Sequence, residues 1–272
     1  MAEKIWFITG TSRGFGRIWA EAALQRGDRV AATARKTDDL AGLVRTYGDA
    51  VLPLSLDVTD REAVFAAVEA ARERFGRIDV AISNAGYGAF GAIEEMSEAG
   101  AREQIETNLF GSLWVIQAAL PIMRAQKSGH LISVSSIGGV AAFTNIGLYH
   151  ASKWGLEGLN ESLAQEVAPF GIAVTLVEPG AYSTDWSGDS AKHADELPAY
   201  AEMHEAAKKR SQGTQRGKPE ATAPAMLALV DADKPPLRLF LGTSGLPLAR
   251  KNFEQRLATW EAWQEVSNAA QG

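Results

Sequence analysis

Short apolar runs alternate with amphipathic ones along most of this chain, and glycine or a polar turn marks each change of period. "IWFITG" (Ile5 to Gly10) reads as a buried strand, and Phe15 to Arg26 as a helix that Gly27 stops. A second strand is predicted at Arg29 to Arg35, a helix at Asp39 to Tyr47 and a third strand at Val51 to Val58. Asp60 to Phe75 carries a strong helical stripe, with Asp60 suited to the N-cap and Gly76 to the C-terminal stop. Further strands are predicted at Ile78 to Gly86, His130 to Ser136, Ile172 to Gly180 and Leu237 to Gly242. Helices from about Glu103 to Gln126 and from Tyr149 to Phe170 complete the rhythm.

Strands this apolar are covered on both faces, as in a parallel sheet flanked by helices. The alternation therefore predicts an α/β fold, a doubly wound (Rossmann-type), mostly parallel seven-stranded sheet forming a single domain over residues 1–272. Two stretches stand apart. Residues 182–219 are polar and Gly/Pro-punctuated, with a weak helical pattern around Ala199 to Arg210, and read as a lid over a substrate or a disordered segment. Phe253, Leu257, Trp260, Trp263 and Val266 recur at helical spacing over about 253–266. A helix docked on the body is the expectation there, with a partner-binding stripe as the alternative.

Composition narrows the function. The 272 residues are 46% hydrophobic and 22% charged, ordinary for a globular chain. A net charge of −6 argues against nucleic acid, and Lys208 to Arg210 is the only dense basic run. Cysteine is absent, which excludes disulfides, thiolate catalysis and zinc–thiolate sites. No apolar run approaches the ~20 residues of a membrane helix, and the N-terminus lacks the layout of a signal peptide. A cytoplasmic chain without a membrane partner is expected. The histidines at 130, 150, 193 and 204 form no metal-ligand motif, so no metal is expected, and His150 reads as a helix-face residue.

"TGTSRGFG" (Thr9 to Gly16) follows the first strand and opens the first helix, where glycines let a phosphate approach the helix N-terminus. Its spacing is G-x-x-x-G-x-G rather than G-x-G-x-x-G, and no P-loop occurs. Gly10 to Gly14 also fits G-x-S-x-G, so a serine hydrolase using Ser12 stays open as a minor alternative. The second strand ends in Ala34 and Arg35, where a NAD-binding chain usually carries an acid. A guanidinium there suits a 2′-phosphate, and Arg13 adds a second cation. NADP(H) is favoured, while Asp38 and Asp39 keep NAD(H) open.

Tyr149 and Lys153 lie four apart on one helix face, a spacing that lets an ammonium lower the pKa of a phenol. Tyr149 then reads as a general acid/base tuned by Lys153. Ser136 ends the fifth strand, where ligands bind in open α/β sheets.

The chain resembles the classical short-chain dehydrogenase/reductase (SDR) family over essentially its whole length up to about Gly242. Thr9-Gly10, Gly14-Phe15-Gly16, Leu56-Asp57-Val58, Asn84-Ala85-Gly86, Asn108, Ser136, Tyr149, Lys153 and Pro179-Gly180 carry the likeness, in order. Within the family, "VAATAR" and "ISNAGYG" are most similar to 17β-hydroxysteroid-dehydrogenase-like members. The resemblance implies that Ser136 bonds the substrate oxygen and that Asn108 holds a water linking Lys153 to bulk. It implies further that Gly10, Thr11, Ser12, Arg13, Gly14, Phe15 and Gly16 form the phosphate turn, and that Asp57 and Val58 meet the adenine. Asn84, Ala85 and Gly86 would lie by the adenosine ribose, and Lys153 would hold the nicotinamide ribose. Pro179, Gly180 and Thr184 would lie beside the nicotinamide. Tyr87, Val140, Phe143, Tyr182 and Trp186 are candidate walls for a hydrophobic or ring-bearing ketone. Interconversion of a ketone and a secondary alcohol is the expected reaction. A non-catalytic NADP(H)-binding regulator on the same fold is the alternative. A homodimer or homotetramer is expected through the helices bearing Trp114 and Trp154.

Overall fold

A computed structural model describes residues 3–188 and 190–272 of the chain. Seven strands form one parallel sheet: β1 (Ile5–Ile8), β2 (Arg29–Ala34), β3 (Val51–Ser55), β4 (Val80–Ser83), β5 (Gly129–Val134), β6 (Ile172–Pro179) and β7 (Arg238–Leu241). Their order is β3-β2-β1-β4-β5-β6-β7, with Trp6 beside both Val30 and Val80. The order reverses between β1 and β4, which opens a crevice at the carboxyl ends of these strands. The Rossmann-type expectation is met. The strands are shorter than the apolar runs because the terminal Gly, Ser and Asn residues leave the ladder to build loops.

The alternation of side chains along β1 divides the core. Trp6 and Ile8 pack with Trp19, Leu24, Met226 and Leu229 on one face. Phe7 packs with Val64, Val68, Val115 and Met123 on the other. The first face is covered by α1 (Gly14–Gln25), α2 (Ala41–Tyr47) and a later helix that carries Met226 and Leu229. The second is covered by α3 (Arg61–Phe75), α5 (Gly111–Gln126) and α6 (Gly147–Val167). Asp60 caps α3 by accepting from Ala63 N–H at 3.0 Å, and Gly76 ends it at φ 83°, as read from sequence.

The helix expected from Glu103 begins earlier, as α4 (Glu98–Ile105), because Ser97 accepts from Gly100 N–H at 3.1 Å and caps it. A π turn at Glu106–Phe110 joins α4 to α5. The 182–219 stretch contains α7 (Ala201–Gly213), tied to the body where Glu95 meets His204 at 2.9 Å and accepts from Leu197 N–H at 2.8 Å. Lys192–His193 adds a two-residue parallel ladder to Ala89–Phe90. Sequence reading passed over α8 (Ala223–Asp231), which Trp19 fixes by donating to Thr222 Oγ1 at 2.8 Å.

The tail is a correction. It is helical, as α9 (Gly245–Ala262) and α10 (Gln264–Ala269), but the stripe does not dock on the body. Phe253, Leu257, Trp260, Trp263 and Val266 are 52–62% exposed. Arg256 is the tether, lying 4.4 Å from the Trp154 ring and donating to Val140 O at 3.1 Å.

Candidate active site

The turn between β1 and α1 is built before any side chain chemistry enters. Gly10 adopts φ 71°, and a Cβ on Gly16 would lie 2.4 Å from Gly10 O. Asn84 clamps the turn by donating to Thr9 O at 2.8 Å and Gly10 O at 3.1 Å. Thr11 is wholly buried and donates to Thr33 O at 3.0 Å, so it supports the turn from behind and lies outside the cleft lining. Gly16 lies outside that lining too. The N-cap residue of α1, Arg13, makes no side-chain cap bond, and the first turn holds no acid. The N-terminal N–H groups and dipole of α1 thus face a cleft of about 970 Å³.

That cleft brings together most of the residues singled out from sequence. Gly10, Ser12, Arg13, Gly14, Phe15, Arg35, Asp57, Val58, Asn84, Ala85 and Gly86 line one side. Ser136, Tyr149, Lys153, Pro179, Gly180 and Thr184 line the other, with Tyr87, Tyr182 and Trp186. Val140 and Phe143 do not line it. Val140 is buried, and Phe143 packs edge-on against His150 at 5.2 Å, so both serve the loop instead of a wall.

Ser136 caps a short 3-10 turn, Ile137–Gly139, by accepting from Gly138 N–H at 3.0 Å. Tyr149 and Lys153 are both buried on α6, and the Lys153 ammonium donates to Val134 O at 2.7 Å. Its Nζ lies 5.7 Å from the Tyr149 ring centre. Asn108 sits behind them, fully buried at the π turn. It accepts from Tyr87 N–H at 3.1 Å and donates to Tyr87 O at 2.9 Å.

The electrostatics correct the simplest reading of the spacing. Burial pushes the Tyr149 hydroxyl up to about 12, against a smaller downward pull from its hydrogen bond with Ser136. Burial also pushes Lys153 down to about 8, and the Glu157 carboxylate opposes that fall. Removal from water thus outweighs the neighbouring cation at Tyr149, because the ammonium turns to the Val134 carbonyl.

The two arginines differ. Arg13 Nη1 lies 3.1 Å from Asp185 Oδ2, and Nη2 donates to Ser190 Oγ at 2.7 Å. Arg35 is exposed at the rim and pairs with no carboxylate among the described residues. Asp57 accepts from the Thr59 N–H at 3.0 Å and from its hydroxyl at 2.8 Å. Trp186 lies over the Tyr149 ring, centre to centre 4.9 Å.

A model of the short chain dehydrogenase family matches residues 4–195. The chain belongs to this family. An oxidoreductase of Botryotinia fuckeliana is 43% identical, covering 98% of this chain and 99% of that one. The crystal structure of a short-chain dehydrogenase from Streptomyces avermitilis superposes with a TM-score of 0.93 at 40% identity, covering 99% of this chain and 98% of that chain. An alcohol dehydrogenase from Thermococcus sibiricus, complexed with 5-hydroxy-NADP, gives a TM-score of 0.75 at 28% identity, covering 90% of this chain and 98% of that chain.

This short-chain dehydrogenase also holds residues that sequence reading undervalued. His150 is buried, with Nδ1 2.8 Å from Gly138 O and Nε2 accepting from Phe143 N–H at 2.9 Å. A neutral ring, kept so by burial, braces the loop between Ser136 and Tyr149. Gln104 accepts from Ala89 N–H at 2.8 Å and donates to Tyr87 O at 3.1 Å, fixing the strand after Gly86. No local pattern marked either: Gln104 follows Arg102 and Glu103, and His150 shares its helix face with Lys153 and Glu157. No described histidine serves Ser12: His130, His150 and His204 bond Thr175, the Gly138–Phe143 backbone and Glu95, and His193 stacks on Phe90. No group of three metal-ligating side chains occurs among the described residues, and no described helix is long and apolar enough to cross a membrane.

Proposed function

We propose that this dehydrogenase is an NADP(H)-dependent enzyme interconverting a ketone and a secondary alcohol on a hydrophobic or ring-bearing substrate. One observation carries the reading: Ser136, Tyr149 and Lys153 share a single cleft with the N-terminus of α1. A binding protein has no use for that trio, which weighs against the regulator alternative.

The residues present fit a dinucleotide. The α1 N-terminus suits a pyrophosphate, Gly10 and Gly14 line the cleft with bare backbone, and Arg35, with no carboxylate partner among the described residues, suits a 2′-phosphate. Asp57 and Val58 would border the adenine, and Asn84 to Gly86 the ribose. Pro179, Gly180 and Thr184 would border the nicotinamide, and Lys153 its ribose hydroxyls. When bound, the cofactor supplies or accepts the hydride at the carbonyl carbon.

Ser136 Oγ orients and polarises the substrate oxygen. Tyr149, a neutral phenol at physiological pH, donates its proton to that oxygen during reduction and recovers it in the reverse direction. Lys153 holds charge behind the phenol. Asn108 fixes the Tyr87 peptide at the same wall. Tyr87, Tyr182 and Trp186 give the substrate side its aromatic surface. Residues 182–219, with α7, close over the cleft as a lid, and the enzyme works in the cytoplasm. Pairing through α5 and α6 would build a dimer or tetramer. A panel of ketones assayed for NADPH consumption tests the reading: turnover of none, with NADPH bound, would favour the regulator.

A further inference from the structure

Behind the catalytic trio lies a group of charges that the reaction above does not use. Glu178, near the end of β6, is fully buried, and neither of its carboxylate oxygens has a hydrogen-bond donor among the described residues. Facing it is Glu157, one turn beyond Lys153 on α6 and also buried. Glu157 Oε1 accepts from Ser135 Oγ at 2.5 Å, and Oε2 accepts from Arg238 Nε at 2.9 Å. Arg238 also reaches Glu161 Oε2 at 2.6 Å and lies 3.7 Å from Glu178 Oε1. One guanidinium therefore meets three carboxyl groups, on α6 and β6. The other groups facing the pair are Lys153 from α6 and Ser135 from the end of β5.

Two buried carboxylates side by side cannot both ionise cheaply, so one keeps its proton and donates it to the other. The one without a donor is the natural holder of the proton. We propose that Glu178 and Glu157 share one proton, leaving a single negative charge on Glu157 that positions Ser135 and keeps Lys153 an ammonium. The pair is a positioning device, since neither residue lines the cleft while Ser135 and Lys153 do. The arrangement has a direction in pH. Burial and the Glu157 charge raise Glu178 to about 8. A carboxyl raised in the fold stabilises it at low pH, and that stabilisation drains away as pH rises through about 8.

The role of Lys153 rests on the reading of this protein as a reductase; the shared proton does not. Infrared spectra in the carboxyl region should show an acid band at neutral pH that titrates away near pH 8 and is missing from Glu178→Gln. Glu178→Gln copies the protonated form, so it should fold, with a melting temperature that no longer declines between about pH 5 and 8. In Glu157→Gln the alkaline limb of kcat/KM should move to lower pH by about one unit, as Lys153 loses its supporting charge, and Glu157→Asp should restore part of it. Absence of the acid band, or its survival in Glu178→Gln, overturns the shared proton. An alkaline limb unmoved in Glu157→Gln overturns the link to Lys153. Should the wild type reduce no ketone, the reductase reading fails while the infrared band still decides the pair.

Discussion

The two walls of the cleft are made differently. The wall from Thr9 to Gly16 is backbone held by buried bonds: Thr11 N–H to Thr33 O at 2.8 Å, Asn84 to Thr9 O at 2.8 Å, and a glycine where a Cβ has no room. The opposite wall, residues 182–188 and 190–192, is bonded by its backbone to other loops, with Ser183 N–H to Gly217 O and Lys192 N–H to Gly88 O each at 3.0 Å, and is otherwise held by side-chain contacts with partial exposure. They include the Arg13–Asp185 pair at 3.1 Å, the Arg13–Ser190 bond at 2.7 Å, the Lys192–Glu103 pair and ring contacts of Trp186. Buried backbone bonds open only with the fold, whereas an exposed ion pair contributes about 0.2–1 kcal/mol. The first wall is therefore a fixed template, and the second yields to what enters.

Mutations can set the walls against each other. Tyr149→Phe, between them, should lower turnover about a thousandfold while NADPH titration of its fluorescence stays nearly unchanged; an active variant would remove the proton donor from the scheme. Gly16→Ala should lower stability by about 1–3 kcal/mol in urea melts and abolish tight NADPH binding, because the added methyl meets Gly10 O and Asn84. Arg35→Asp should shift the NADPH/NADH ratio of kcat/KM toward NADH by about tenfold to a hundredfold, from loss of a charge-assisted contact. Asp185→Ala should do least. By releasing Arg13 it should tighten NADPH by at most about fivefold, with the gain fading in high salt. A large loss of affinity in that variant would mean that the second wall is as rigid as the first.

The template was legible in the sequence and the yielding wall was not. Glycines at 10, 14 and 16 announce a turn because few other residues suit it, and apolar runs between turns announce buried parallel strands. The spacing of Tyr149 and Lys153 announced a shared face but not their burial, and burial reversed the expected direction for the phenol. Phe143 and Val140 were apolar loop residues whose direction no local pattern encodes; His150 and the loop interior claimed them. The sequence of α8 is short and opens beside Pro219 and Pro224, so its helical stripe was masked. The stripe at Phe253 to Val266 showed a helix correctly, yet periodicity reports a common face and not what that face meets.

The π turn at Glu106–Phe110 makes helix length itself a constraint. A wide turn holds one residue more than the helix around it needs, and that surplus swings Asn108 onto the Tyr87 peptide. Deleting a single residue there would let the helix run regular from α4 into α5 while carrying Asn108 off its partner. No substitution elsewhere could restore the match, so insertions and deletions, more than point changes, are what this stretch must resist.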